Sequence, residues 1–551
     1  MSHSSLVDSP HSFLSGTSSL RLQVSSRVSP HSWASINSTD VYLHALTDTK
    51  RQLRLRPFVA LFCSTGVAKL AVNSNAGDHT SNSRVQVDPC SLSTRIPGIS
   101  HKELLHSKCN GDLVISPDEH ETMTNVAHPI VIVGAGGAGL IAAWRAASMG
   151  APVILFEKNT KVGIKLLISG GGKCNVTHDG AMEELRREFS HHESRFLKHA
   201  FFSFTNADVR RMLEARGVAT LARPNGRVFP STGRAADVVE ALLSLLWECS
   251  VKVRLGSRVE SILIDGNGVR GIVVQGKTLL AQHVVLATGG ASYRKTGTTG
   301  DGFLWATAMG HSVVPLRPAL APIGLRPPLP DAWRGIALRD GCLYAYSAGK
   351  RVDSCRGDLL FTHEGISGPA PLAVSRAAAQ AMEVGDVSLR FDFFPGLDPS
   401  ALDQALNQLI RSNGRKQLGT ILEALVPNRM IEWLLTSVHV SVQTRGHVLL
   451  RADRAAVVRL LKSWEMGSVE RIDLDRGEVT AGGVALSEVD PHTMASRIVP
   501  GLYLAGEVLD IAGPIGGYNL QAAFSTGFVA GESAAREWLD SHESGLLIAR
   551  E

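Results

Sequence analysis

The chain has 551 residues, more than one hydrophobic core accommodates, so about two to four domains are expected. It is 44% hydrophobic and 19% charged, an ordinary globular balance, and its formal net charge of +5 marks no polybasic surface. Seven cysteines, scattered without a C-x-x-C pair, argue against a disulfide framework and a structural zinc site, and 6% aromatics argues against an RNA platform of many stacked rings.

Residues 1 to about 125 differ in texture from the remainder. Fourteen of the first forty residues are serine, the first glutamate is Glu103, and nine lysines and arginines through residue 100 face five aspartates. Such a segment buries too little apolar surface to offset its ordering entropy, so a disordered extension over 1–125 is expected. A Ser-rich, Arg-bearing, acid-poor leader also reads as an organelle transit peptide. Chloroplast is preferred to mitochondrion because the first thirty residues lack a basic amphipathic helix. The alternatives are a misassigned upstream start, leaving a cytoplasmic protein, and a functional disordered arm. Phe58–Val72 is the most apolar stretch of this region, yet it is short and carries Lys69, so no membrane partner is expected.

From Pro129 the pattern changes. Pro129–Val133 is a short, continuously apolar, β-branched run, as a buried parallel strand requires. It leads into Gly134-Ala-Gly136-Gly-Ala-Gly139, a helical stretch from Leu140 to Met149, and a second strand-like run, Pro152–Phe156, that ends in Glu157. Gly134 suits a tight turn, Gly136 lets backbone approach a pyrophosphate, and Gly139 lets helix pack on strand. Glu157, with Lys158 beside it, stands where a carboxylate accepts the ribose hydroxyls of an adenosine half. A second match to the same glycine spacing, Gly266-Asn-Gly268-Val-Arg-Gly271, lies between two strand-like runs with no helix after it, and predicts a hairpin turn.

Three later segments point to FAD rather than NAD as the bound dinucleotide. The first, Lys165 through Asn175, holds Ser169-Gly170-Gly171-Gly172 and suits a loop pressed against a long cofactor. The second is an apolar strand ending at Thr288-Gly289-Gly290. The third is a strand from Gly501 to Gly506-Glu507, followed by Gly516-Gly517-Tyr518-Asn519 and a small-residue helix to Gly531. That returning helix delivers a second N-terminus, which stabilises negative charge on a reduced flavin. The candidate cofactor contacts are Gly134, Gly136, Gly139, Glu157 and Lys158, then Lys165, Ser169, Gly170, Gly171, Gly172 and Asn175, then Thr288, Gly289 and Gly290, and finally Gly506, Glu507, Gly516, Gly517, Tyr518 and Asn519.

Six motifs in order now carry a resemblance: SGGGKCNVT (169–177), FPSTGRAADVV (229–239), GGASYRKTGTTGDG (289–302), LLFTHEGISGP (359–369), VTAGGV (479–484) and GLYLAGEVLDIAGPIGGYNLQ (501–521). In them the chain resembles the YhiN/BaiN-type flavoproteins, often labelled NAD(P)/FAD-dependent or aminoacetone oxidases. The resemblance implies an α/β fold: an FAD-binding, Rossmann-like three-layer domain interrupted by an inserted β-barrel plus a small helical subdomain. The boundaries expected are 126–315 and 481–545 for the two parts of the FAD-binding domain and 316–480 for the insert, which bears the substrate. Within the insert, Leu402, Leu406, Leu409 and Ile410, then Leu418, Ile421, Leu422 and Leu425, and then Val457, Val458, Leu460 and Leu461 form helical stripes read as core.

The resemblance further implies an FAD-dependent oxidoreductase, fed transiently by NADH or NADPH, that reduces an activated C=C bond. The substrate class is an enone-type small molecule or uracil in organellar ribosomal RNA. An oxygen-using aminoketone oxidase and a non-catalytic FAD-bound assembly factor are the alternatives. Cys174 is a candidate proton donor, with a packing cysteine as its competing role. His363 is a candidate catalytic residue facing the flavin from the substrate side, with a structural histidine as its competing role. No metal constellation is present.

Overall fold

The computed structural model describes residues 128–548, and apart from these two strands, Phe58–Cys63 and Gly66–Ala71, which pair antiparallel. Both strands fall within the expected extension and are runs rich in residues that suit a pleated ribbon. The remainder of the extension, with its expected disorder and targeting role, lies outside the described residues.

The first layer of the main body is a five-stranded parallel sheet. Strand β1 (Ile130–Val133) lies at its centre, flanked by β2 (Val153–Phe156) and then β3 (Lys252–Arg254) on one side. On the other side come β4 (Val284–Leu286) and, last, β5 (Leu502–Leu504). The side chains of β1, β4 and β5 are all buried, which is why these runs are continuously apolar rather than alternating. Helix α1 (Gly137–Ser148) follows β1, and α2 (Ile164–Gly172) follows β2. The long α3 (Tyr518–Ile548) follows β5 and packs on α1. A Cβ at Gly527 or Gly531 would lie 2.3 Å from the carbonyl oxygens of Ala138 or Ala142, so glycine at both positions sets that close approach. Helix α3 continues well past Gly531, where sequence periodicity ended it, because Ala534 and Ala535 remain fully buried.

A three-stranded antiparallel sheet (Val259–Asp265, Gly268–Val274, Lys277–Leu280) supplies the outer layer, and the second glycine pattern is its first hairpin turn. One large apolar core runs from Ile130 to Met309 and resumes from Val484 to Ala535.

The insert has its own core, from Ile323 to Val469. Its six strands are Gly324–Arg326, Trp464–Arg471, Val387–Asp392, Ala337–Ser347, Lys350–Thr362 and Gly365–Ser367 in spatial order. Ile323 and Ile366 exchange backbone hydrogen bonds at 2.9 Å in both directions, which closes this sheet into a barrel. The closure needs Gly365, at φ +136°, because a Cβ there would stand 2.1 Å from the Ile323 carbonyl oxygen. The three predicted stripes are helical and packed on the barrel except at Leu425, which lies in the turn after Leu418–Leu422; Leu409 and Leu425 are only partly buried. Two helices were not anticipated: Pro369–Met382, whose proline suits a first turn, and Asn428–Ser437. The chain leaves and returns through adjacent antiparallel strands, Val313–Ala319 and Val479–Val484.

Candidate functional site

A cavity of about 710 Å³ opens at the carboxyl ends of β1, β2, β4 and β5, where ligands sit in open α/β sheets. The three fingerprint glycines meet three different demands. Gly134 turns at φ +103°, and a Cβ there would lie 2.5 Å from the Ala287 carbonyl oxygen. A Cβ at Gly139 would lie 1.8 Å from the Gly134 carbonyl oxygen, so this glycine packs helix on strand and does not line the cavity. Gly136, with φ −82°, has nothing within 4 Å of its Cβ position; it borders open space at the N-terminus of α1.

Glu157 ends β2 at one end of the cavity. One carboxylate oxygen accepts the Ala135 N–H at 2.8 Å, and the other accepts the backbone and side-chain N–H groups of Asn159, each at 2.8 Å. These bonds fix its orientation and leave lone pairs for hydroxyl donors. The Lys158 ammonium is paired with Asp301 at 2.9 Å, and Arg258 reaches the same carboxylate at 3.3 Å.

Toward the other end, α2 breaks at Ser169 (ψ +149°) and passes through Gly170 and Gly171 at φ +57° and +68°. The Ser169 carbonyl accepts the Cys174 N–H at 2.9 Å and closes this turn. Gly171, like Gly136, leaves open space where a Cβ would be. Lys165 pairs with Glu507 at 2.7 Å, and Glu507 also accepts the Thr480 N–H at 2.7 Å. The Thr480 hydroxyl accepts the N–H groups of Ala291 and Ser292. Gly289 and Gly506 line the cavity, and both have positive φ. Gly516 and Gly517 line it where α3 begins; a Cβ at Gly517 would lie 2.3 Å from the Thr177 carbonyl oxygen. The Asn519 side chain faces the same cavity and bonds both the N–H and the carbonyl of Gly513, pinning the loop before α3.

Two buried polar atoms on this cavity, Asn175 Oδ1 and Thr288 Oγ1, have no partner. Orphaned acceptors are costly unless a ligand meets them. With two glycine cradles, two helix N-termini and a carboxylate oriented at one end, the residues fit FAD.

Five further candidate residues take other positions. Cys174 is fully buried in the apolar core and does not line the cavity; burial, opposed by its hydrogen bond with Ser169, pushes the thiol up to about 11. That geometry supports its packing role. His363 is an exposed residue of the insert, 3.4 Å from Glu364, and is also outside the cavity lining. Tyr518 turns away to stack on His178, with ring centroids 4.7 Å apart. Gly290 is required by the Thr480 hydroxyl, which a Cβ would approach to 2.3 Å. Gly172 continues the left-handed turn without lining the cavity.

Other lining residues were not among the expected contacts: Lys173 and Phe229, although both lie in quoted motifs, and Arg223, Arg227 and Glu478. The Arg223 guanidinium stacks 4.1 Å over the Phe229 ring. Both belong to a hairpin, Thr220–Ala222 with Arg227–Pro230, that pairs with Thr177–His178. His178 in turn bonds the Gly516 carbonyl at 3.0 Å, so these residues stand at the α3 end of the cavity.

The HI0933-like protein Rossmann domain family matches residues 128–533. The chain is 31% identical over 411 residues to a 3-dehydro-bile acid delta(4,6)-reductase of Clostridium scindens, covering 74% of this chain and 98% of that protein. It is 32% identical over 416 residues to a ribosomal RNA dihydrouridine synthase of Haemophilus influenzae, covering 74% and 98%. The Escherichia coli protein of the same name is 30% identical over 406 residues, covering 73% and 96%. The chain belongs to the HI0933-like family, the YhiN/BaiN-type flavoproteins, and is an FAD-dependent oxidoreductase.

Proposed function

We propose that this flavoprotein reduces a C=C bond conjugated to a carbonyl, with NADH or NADPH as the electron source. The observation that carries the reading is that relatives matched over nearly their whole lengths bear two different names for one kind of chemistry. A delta(4,6)-reductase and a dihydrouridine synthase both saturate a C=C bond. When bound, FAD supplies the two electrons of such a reduction.

The chain's own residues divide the remaining work. Glu157 orients toward the adenosine ribose, and Gly136 leaves room for the pyrophosphate at the N-terminus of α1. Lys165 and Glu507 brace the middle of the cavity, while the N-terminus of α3 offers its partial positive charge at the far end. Lys173, Arg223 and Arg227 line that cavity without an ion-pair partner among the described residues, which suits a substrate bearing an anionic group. A steroid carboxylate and an RNA phosphate both meet that description. For a member carrying an organelle leader, ribosomal RNA of that organelle is the proposed polynucleotide substrate.

The test is anaerobic. The FAD-loaded protein is mixed with NADH or NADPH, and the bleached flavin is then offered an enone steroid acid or a uridine-containing ribosomal RNA fragment. Reduction by the nicotinamide and reoxidation by either probe support the reading. The described residues hold one complete dinucleotide fingerprint, so donor and substrate should use one cleft in turn, giving parallel double-reciprocal lines. Flavin reduction by an aminoketone in place of NAD(P)H would favour an oxidase. Inertness to both nicotinamides and to aminoketones would favour an assembly factor.

A further inference from the structure

Four carboxylates line the cavity: Glu157, Asp301, Glu478 and Glu507. Glu157 accepts three N–H groups, Asp301 holds Lys158 and Arg258, and Glu507 holds Lys165 and the Thr480 N–H. Glu478 differs. Among the described residues no donor reaches its carboxylate; only its backbone N–H is engaged, by the Leu320 carbonyl at 3.1 Å.

Its position follows from the fold. Glu478 directly precedes Val479–Val484, the strand that returns the chain from the insert, and its neighbours Leu320 and Val479 line the cavity with it. The charged groups facing it are Lys165 from α2 and Arg227 from the hairpin joined to Gly516 through His178. It therefore stands toward the α3 end, away from Glu157. Glu478 is exposed to the open cleft, yet the protein walls of the cleft push its pKa up, and Lys165 and Arg227 only partly oppose this. A cleft carboxyl with a raised pKa is suited to giving up a proton, and the charges of Lys165 and Arg227 stabilise the carboxylate that remains.

We propose that Glu478 is the catalytic proton donor of the C=C reduction, an assignment that rests on the function proposed above. One carbon of the double bond receives the electron pair and hydrogen supplied from NAD(P)H by way of the cofactor. The O–H bond of Glu478 breaks, its proton forms the new C–H bond at the neighbouring carbon, and the carboxylate regains a proton from water.

The experiment uses the full chain with FAD bound and two probes, a 3-oxo-4,6-diene steroid acid and a uridine-containing RNA oligonucleotide. Glu478→Gln keeps the shape and removes the acid. It should retain FAD, accept electrons from NAD(P)H within about twofold of the wild type, and lose about 10²–10⁴ in reoxidation by the probe, with partial recovery in Glu478→Asp. The wild-type reoxidation rate should fall as pH rises. Unchanged reoxidation in Glu478→Gln overturns the assignment and points to Tyr293, which also lines the cavity. Loss of FAD from the variant overturns it too, by making Glu478 a cofactor ligand. Difference infrared spectroscopy gives a readout independent of turnover: a protonated-carboxyl C=O band that persists above the ordinary carboxylate range and that Glu478→Gln removes. A wild type inert to both probes would reject the C=C reading. The band then judges Glu478 as the acid of this cavity, supporting it if present and overturning it if absent.

Discussion

Lys165 and Glu507 lie 342 positions apart in the chain and meet as an ion pair of 2.7 Å on the cavity wall. Their side chains are 29% and 18% exposed, so water screens the pair only in part. The contact ties the helix after β2 to the segment that returns beyond the insert. Lys165→Met should leave the apoprotein folded, because Glu507 keeps the Thr480 N–H. It should raise the Kd for FAD by roughly tenfold, about 1.4 kcal/mol. Equilibrium dialysis checks the affinity, and an unchanged Kd would confine the pair to a structural role.

Gly136 and Gly139 separate cofactor binding from folding. Gly136 has φ −82° and open space at its Cβ position, so Gly136→Ala should fold normally and lose FAD by filling the cradle. Gly139→Ala drives a methyl into a backbone oxygen 1.8 Å away and should destabilise the fold itself by roughly 1–3 kcal/mol or more. Melting temperatures of the two apoproteins, set beside their flavin content, distinguish these outcomes.

The buried Cys174 thiol makes stability depend on alkaline pH. Its folded pKa is pushed up from 9.0 to about 11, so the folded state holds a proton that the unfolded chain has released. The stability tied to this proton is complete below pH 9 and is lost as pH rises toward 11. Cys174→Ala should flatten the decline over that window by up to about 2–3 kcal/mol. At neutral pH it should cost about 1–2 kcal/mol through the small cavity left behind. Turnover per bound flavin should be unaffected. Denaturation at stepped pH measures the first two quantities, and a large loss of turnover would restore the thiol to the mechanism.

Glu193, fully buried, joins the main body to the insert. Its carboxylate receives Arg376 at 2.9 Å and the Ala512 N–H at 3.0 Å. Burial opposes the charge, yet Arg376 and the hydrogen bonds from Ser190 and Ala512 outweigh it and hold the pKa below the usual range. Arg376→Leu leaves that charge uncompensated and should cost about 3 kcal/mol. With its folded pKa depressed, Glu193 lends stability above the ordinary carboxylate range that disappears as pH falls through the folded value. The variant should therefore lose less on acidification than the wild type. Urea titrations at neutral and acidic pH test both statements.

The Ser-rich extension calls for a separate experiment. A chain beginning near residue 126 should be yellow and release FAD, not FMN, on denaturation. Deleting residues 1–120 should leave flavin content unchanged and abolish organelle import. A full-length fusion that remains cytosolic would count against targeting, and its distribution between plastid and mitochondrion decides the destination.

Local sequence determined what depends on neighbours along the chain. The β-branched run before Gly134, the glycine spacing and Glu157 mark a dinucleotide site because strand, turn and helix N-terminus are consecutive. The stripes around Leu406, Ile421 and Val458 mark buried helices for the same reason. Tertiary structure alone decided which side chains face the ligand. Cys174 stands one position from cavity-lining Lys173 and Asn175, yet the left-handed turn after Ser169 directs it into the core. His363 lies in a strongly patterned motif but in the exposed turn between the strands Lys350–Thr362 and Gly365–Ser367. Glu478 carries no local mark, since its freedom depends on Lys165 being already held by Glu507 and on Arg227 arriving from a distant hairpin. Such groups become a site only when residues remote in sequence leave one carboxyl unpaired in a shared cavity, and periodicity along the chain does not encode that arrangement.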